Sequence, residues 1–163
     1  VRTPTIIRSP PVPQMYYTVT NPNTVSAIVE FVSNTSLSPI SAYSIPAQSK
    51  SQIPIPNGYQ YTILDVLVNN AYIQSFSPPP TPGTSFTIPT PKGLQLYTFI
   101  NDTPYNLQVI ATSPTLTNLI FYVKSGQKAM FYANTNWVLG AYQGLTEVCS
   151  YNSLTSSTIV CST

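Results

Sequence analysis

A chain of 163 residues with 42% hydrophobic side chains is long enough to bury a core unaided, yet only 6% of its residues are charged, far below the usual quarter. Six basic and four acidic residues leave a net charge of +2, too weak and scattered for a nucleic-acid footprint. The absence of histidine excludes Ser-His-Asp and Cys-His catalysis within the chain, and no apolar run approaches the ~18 residues of a membrane-spanning helix.

Taken in chain order, the sequence opens with VRTPTIIRSPPVP, an extended, proline-rich tail that carries both arginines, Arg2 and Arg8, and an uncovered apolar pair, Ile6-Ile7. The first residue is Val1, so a mature form whose leader has been removed is expected. Strands then follow at short intervals. MYYTVT (15–20) is the first, and VSAIVEFVS (25–33) alternates Val25, Ala27, Val29 and Phe31 onto one face with Glu30 on the other. SAYSI (41–45) comes next. QIPIPNGYQYTILDVLV (52–68) reads as two arms about a Pro-Asn-Gly turn, with Pro54 confining the first arm to an edge. The run 61–72 also has the length of a helix. AYIQSF (71–76) leads into SPPPTPG (77–83), expected as a stiff crossing over one end of a single domain rather than a boundary. SFTI (85–88), LQLYTFI (94–100), NLQVIAT (106–112), NLIFYV (118–123), QKAMFY (127–132) and NWVLGAY (136–142) continue the pattern. No internal repeat stands out. The reading is an all-β fold, an antiparallel β-sandwich of immunoglobulin-like or jelly-roll type at 15–163, with the extended N-terminal tail at 1–14.

The chain ends in TEVCSYNSLTSSTIVCST, where β-branched flanks and a Ser/Asn-rich middle suggest a hairpin with Cys149 and Cys161 joined across it. Two buried thiols are the alternative. Asn34 and Asn101 both begin N-glycosylation sequons. With so few carboxylates and no histidine, stability is expected to be nearly flat from neutral to strongly acidic pH, as suits an acidic exterior.

Chemistry is scarce. Carboxylate pairs would have to come from Glu30, Asp65, Asp102 and Glu147. Glu30 reads as solvent-facing, Asp102 as a turn residue, and Asp65, in ILDVLV, as a buried hydrogen-bond acceptor. The pairs Ser49-Lys50 and Lys124-Ser125 are adjacent and so point to opposite strand faces. An enzyme is not expected, nor a metal or cofactor. Twelve tyrosines, six phenylalanines and Trp137 offer stacking surfaces for sugars, although alternating aromatics usually pack in a core.

The tail carries the sharper expectation. An extended apolar segment behind a proline hinge suits strand donation to the sheet edge of a neighbouring copy. Pro4 leaves Thr5, Ile6, Ile7 and Arg8 as the minimum donor; a free end is the plainer alternative. A head-to-tail contact of this kind builds filaments.

A charge-poor head rich in Tyr, Thr, Asn and Pro, with sequons behind an N-terminal tail, resembles the thread filament subunits of thermoacidophilic archaea. That resemblance implies an extracellular homopolymer held by donor strands, with N-glycans on the heads at Asn34 and Asn101. Virion capsid or turret proteins share the composition and form the main rival, and a sugar-binding adhesin module is the third reading.

Overall fold

The alternation of β-branched and aromatic residues with Ser, Thr and Asn folds as the periodicity dictates, into fourteen strands and no helix in a computed structural model that describes residues 13–34, 38–57 and 60–163. The first seven strands are β1 (Tyr16–Asn21), β2 (Ala27–Val32), β3 (Ser41–Ile45), β4 (Ser49–Pro54), β5 (Ile63–Val68), β6 (Ala71–Phe76) and β7 (Ser85–Thr87). They form two facing sheets, β4-β1-β7 and β3-β2-β5-β6. Tyr17, Val19, Ala27, Val29, Phe31, Leu64 and Val66 fill the space between them.

The second seven strands are β8 (Gln95–Asp102), β9 (Leu107–Thr112), β10 (Leu119–Val123), β11 (Lys128–Ala133), β12 (Val138–Gln143), β13 (Thr146–Tyr151) and β14 (Thr158–Ser162). They repeat the first set strand for strand. β1 pairs antiparallel with β4 and parallel with β7; β8 pairs antiparallel with β11 and parallel with β14. β2 lies between β3 and β5 with β6 beyond, and β9 lies between β10 and β12 with β13 beyond. The registers agree too. Tyr17 opposes Ile53 as Tyr97 opposes Phe131, Glu30 opposes Ala42 as Ile110 opposes Ile120, and Asp65 opposes Ser75 as Gly140 opposes Ser150. Even the bulge recurs, between Val66 and Leu67 in one half and between Ala141 and Tyr142 in the other.

The expected β-sandwich is therefore present twice, in two halves with separate cores that share one continuous sheet. The second core gathers Tyr97, Phe99, Val109, Phe121, Phe131, Trp137 and Leu139. Seven strands in sheets of four and three match the immunoglobulin-like count rather than the eight-stranded jelly-roll. The proline-rich run 77–83 is indeed a crossing, taking the chain between the two sheets of the first half, with Tyr17 donating to the Pro80 carbonyl at 2.6 Å. Residues 61–72 are not a helix. They enter β5 and turn back at Asn69-Asn70, both with positive φ (51° and 62°), the backbone a two-residue hairpin needs and Asn tolerates.

Cys149 and Cys161 are bonded, with Cα atoms 6.0 Å apart, but they do not span a hairpin. β13 pairs with β12 and β14 pairs with β8, so the bridge ties the edges of two different sheets.

Each half is closed by one buried asparagine. Asn21 Nδ2 donates to the carbonyls of Val25, Ile45 and Pro46, and its Oδ1 accepts from the Asn23 backbone and side-chain amides at 3.0 Å. Asn101 does the same work in the second half. Its Nδ2 donates to Tyr105 O at 2.7 Å and Val123 O at 3.0 Å, and its Oδ1 accepts from Thr103 N and Oγ1. Each amide thus ties the loop after its own strand to the end of β3 or β10. Truncating either leaves several buried backbone groups unpaired, each costing about 1–3 kcal/mol. Asn21→Ala and Asn101→Ala are each expected to destabilise the chain by about 2–4 kcal/mol, read from the shift in urea midpoint. A loss below ~0.5 kcal/mol at either position would show that the loops close without the amide.

Candidate functional site: the junction between the halves

The two halves meet along β6, the last strand of the first half's larger sheet. Its outer edge pairs parallel with β11 through Ala71 opposite Met130 and Tyr72 opposite Phe131, producing one continuous seven-stranded sheet, β14-β8-β11-β6-β5-β2-β3. On the face of that sheet turned away from the first core, β10 of the second half packs across β6 and β5. Tyr72 stacks on Phe121 with ring centroids 4.7 Å apart. Ser75 Oγ lies 2.5 Å from Asp65 Oδ1, and it accepts the backbone N–H of Ile120 at 2.9 Å. This cover explains why all six residues of ILDVLV are buried, the signature of a strand packed on both faces.

The same cover corrects the reading of Glu30. It does alternate away from Val29 and Phe31, but the second half lies over that face and Glu30 is half-buried. It stands directly opposite Asp65 in the β2–β5 ladder, and Asp65 is only 1% exposed. Two of the four acids of the chain therefore line one small cavity, of about 40 Å³, together with Val32, Pro39, Tyr72 and Tyr122. Such a volume holds about one water and leaves no room for a sugar ring.

Burial raises the Glu30 carboxyl above the usual carboxylate range, against the pull of its hydrogen bond with Tyr72. Burial holds Asp65 well above that range, with the Ser75 bond opposing and the Glu30 charge adding to the shift. The phenol of Tyr72 is raised first by burial and then by both carboxylates, and that of Tyr122 by burial and then by Asp65. Folding thus shifts both carboxyls toward their protonated form.

The other residues singled out in the sequence do not converge here. Asn34 is exposed after β2, its backbone N–H donating to Thr62 Oγ1 at 2.9 Å, while Thr35 and Ser36 of its sequon lie outside the described residues. Asn101 is 0% exposed and is corrected from glycan acceptor to core residue. Its amide nitrogen, the atom a glycan would occupy, is spent on two backbone carbonyls. Thr5, Ile6, Ile7 and Arg8 lie outside the described residues. Trp137 is buried in the second core. Tyr61 packs edge-on against Phe31, with its hydroxyl on that of Tyr17, so neither ring is a free stacking platform. Tyr16 is exposed. Among the described residues no group of three or more His, Cys, Asp or Glu could hold a metal ion, and no helix is long and apolar enough to cross a membrane.

What the sequence reading missed is the groove on the first half. β4 is the counterpart of β11, and β3 of β10, yet the β3 and β4 edges carry no neighbouring strand among the described residues. Ala42, Ser44, Lys50 and Gln52 are exposed along them. The signal was in the sequence, in the match of Tyr17-Thr-Val-Thr-Asn21 to Tyr97-Thr-Phe-Ile-Asn101. The chain matches no protein-family model and no curated protein.

The carboxylate pair changes the expected pH response. A carboxyl whose folded pKa exceeds its unfolded value contributes stability in full below the unfolded value, roughly 4, and loses it as pH rises through the folded one. Stability should therefore increase from neutral pH toward about 4 rather than stay flat. Asp65→Asn keeps the size of the side chain and an acceptor for Ser75 but removes the charge. It is expected to be more stable than the unaltered chain at pH 7 and equal to it at about pH 3, where Asp65 is protonated anyway. Guanidinium midpoints at the two pH values decide this; an equal loss at both would mean that the carboxyl matters only for its shape.

Proposed function

We propose that the chain is a structural subunit of an extracellular filament, built head to tail from copies of itself, in which an extended strand of one copy completes the fold of the next. The observation that carries this reading is that the β3 and β4 edges have no neighbouring strand among the described residues, whereas β6 pairs with β11 and packs on β10 at the equivalent edges of the second half. An edge of this kind is an aggregation hazard unless it is covered, and strand addition covers it with main-chain hydrogen bonds. The disulfide is compatible with an oxidising exterior, and an exposed Asn34 with a glycan there. Within this reading the chain is not an enzyme and uses no cofactor, its partners being its own copies. Thr5–Arg8 remain a candidate donor. The virion reading draws less support, since its jelly-roll needs an eighth strand in each sandwich.

Negative-stain microscopy and sizing of the full chain should show filaments that persist at pH 3 and in detergent. Gln52→Lys combined with Ser44→Lys, charges placed on exposed groove positions, should leave a folded monomer that does not polymerise. Closed shells of one size would favour the virion reading, and a monomer that binds glycans the adhesin. A chain that stays monomeric at every concentration would sink the filament.

A further inference from the structure

The duplication assigns each half one edge that fills and one that is filled. In the first half these are β6 and the β3/β4 groove; in the second they are β13 and the β10/β11 groove. The junction inside the chain uses the filling edge of the first half and the groove of the second. Among the described residues the β3/β4 side of the first half and the β13 edge of the second carry no neighbouring strand, and their strands are the counterparts of those that meet at the internal junction.

We infer that copies of this chain join by repeating the internal junction, with β13 of one copy laid parallel against β4 of the next. The inference rests on the filament reading and names the donor within it: an edge strand of the folded head rather than the N-terminal tail.

Strand equivalence fixes the register. Ala71 opposite Met130 becomes Thr146 opposite Gln52, and Tyr72 opposite Phe131 becomes Glu147 opposite Ile53. Ser75, which joins β6 to the backbone of Ile120, has Ser150 as its counterpart, and Ile120 has Ala42. The serine is thus retained at the position that reaches across, and both it and Ala42 are exposed. A serine hydroxyl needs only an edge-strand N–H and C=O to bond, so the identity of the residue on β3 is immaterial. Thr146 and Glu147 are exposed as well, and Leu145, at the tip leading into β13, is 103% exposed.

The two joints would differ on the outer face, where the stack of Tyr72 on Phe121 becomes Glu147 beside Tyr43. Inside the chain the outer face carries Glu30, Asp65 and Tyr72; on the second half the equivalent residues are Ile110, Gly140 and Glu147. The place of the Asp65 side chain is taken by the Tyr142 phenol, whose Cε2 and hydroxyl oxygen lie 2.9 Å from where a Cβ on Gly140 would sit. The joint between copies is therefore built without the buried carboxylate pair. Because the contact pairs different surfaces of the two partners, it is heterologous and propagates unless its rotation happens to close a ring.

The experiment is a cysteine cross-link in the full chain. Gln52→Cys and Thr146→Cys are placed together; both positions are exposed, and the two native cysteines are already bonded to each other. Neighbouring strands hold facing residues within the 4.4–6.8 Å that a disulfide requires. Mild oxidation of the filaments should give a ladder of dimers, trimers and higher species on non-reducing electrophoresis. Each single variant should stop at dimers, and Lys50→Cys with Thr146→Cys, shifted in register, should cross-link at least ~10-fold less than the matched pair. A ladder that survives deletion of residues 1–13 supports β13 as donor. Filaments that form without a ladder and vanish on that deletion overturn the inference but keep the filament, with the tail as donor. If neither filaments nor ladder appear, both readings fall.

Discussion

The constraint on which the rest of this structure depends is that β6 serves two sandwiches at once. It completes the larger sheet of the first half and closes the open side of the second. Without that cover the second half would expose the edges of β10 and β11, and the first would expose the face that bears Asp65. The strand can hold both positions because Ser75 satisfies a backbone group of β10 that a regular ladder would have left unpaired, and because Tyr72 extends over Phe121 to seal the second core. Burial of Asp65 follows from the same arrangement. An unpaired buried carboxylate is costly, and this one is tolerable because it can take up a proton and because Ser75 faces it.

Much of the local structure was legible in the sequence. Alternation placed Ala27, Val29 and Phe31 inward in β2 and set the strand order along the chain. The unbroken apolar run ILDVLV announced a strand covered on both faces, though not what covered it. The duplication was harder to see because sandwich cores constrain pattern rather than identity: Phe31 has Ala111 at its equivalent position and Glu30 has Ile110. Residues with backbone duties survive in both halves, notably Asn21 and Asn101, and the second was hidden by its sequon. A triplet that marks a surface acceptor and one that marks a buried loop clamp are the same triplet, and burial alone separates them. The placement of Glu30 failed for a related reason. Alternation tells which face a residue takes; it says nothing of what lies over that face once a second half has docked.

The site was less legible than the fold. It consists of backbone edges and a groove, and neither has a residue signature. Ser150 and Ala42 are unremarkable in sequence and gain meaning only through their counterparts Ser75 and Ile120. The disulfide shows the same limit. Its pairing was expected from the flanking residues, but the sheets it joins could be known only once β14 was found beside β8 rather than beside β13.

The paired asparagines have a further consequence. Where many folds fasten their loops with ion pairs, this one uses neutral amides buried away from solvent. The Debye cloud of dissolved ions weakens attraction between exposed charges and has little to act on here. Brine and fresh water should therefore be nearly the same medium to this chain, with ionic strength felt through water structure and scarcely through screening.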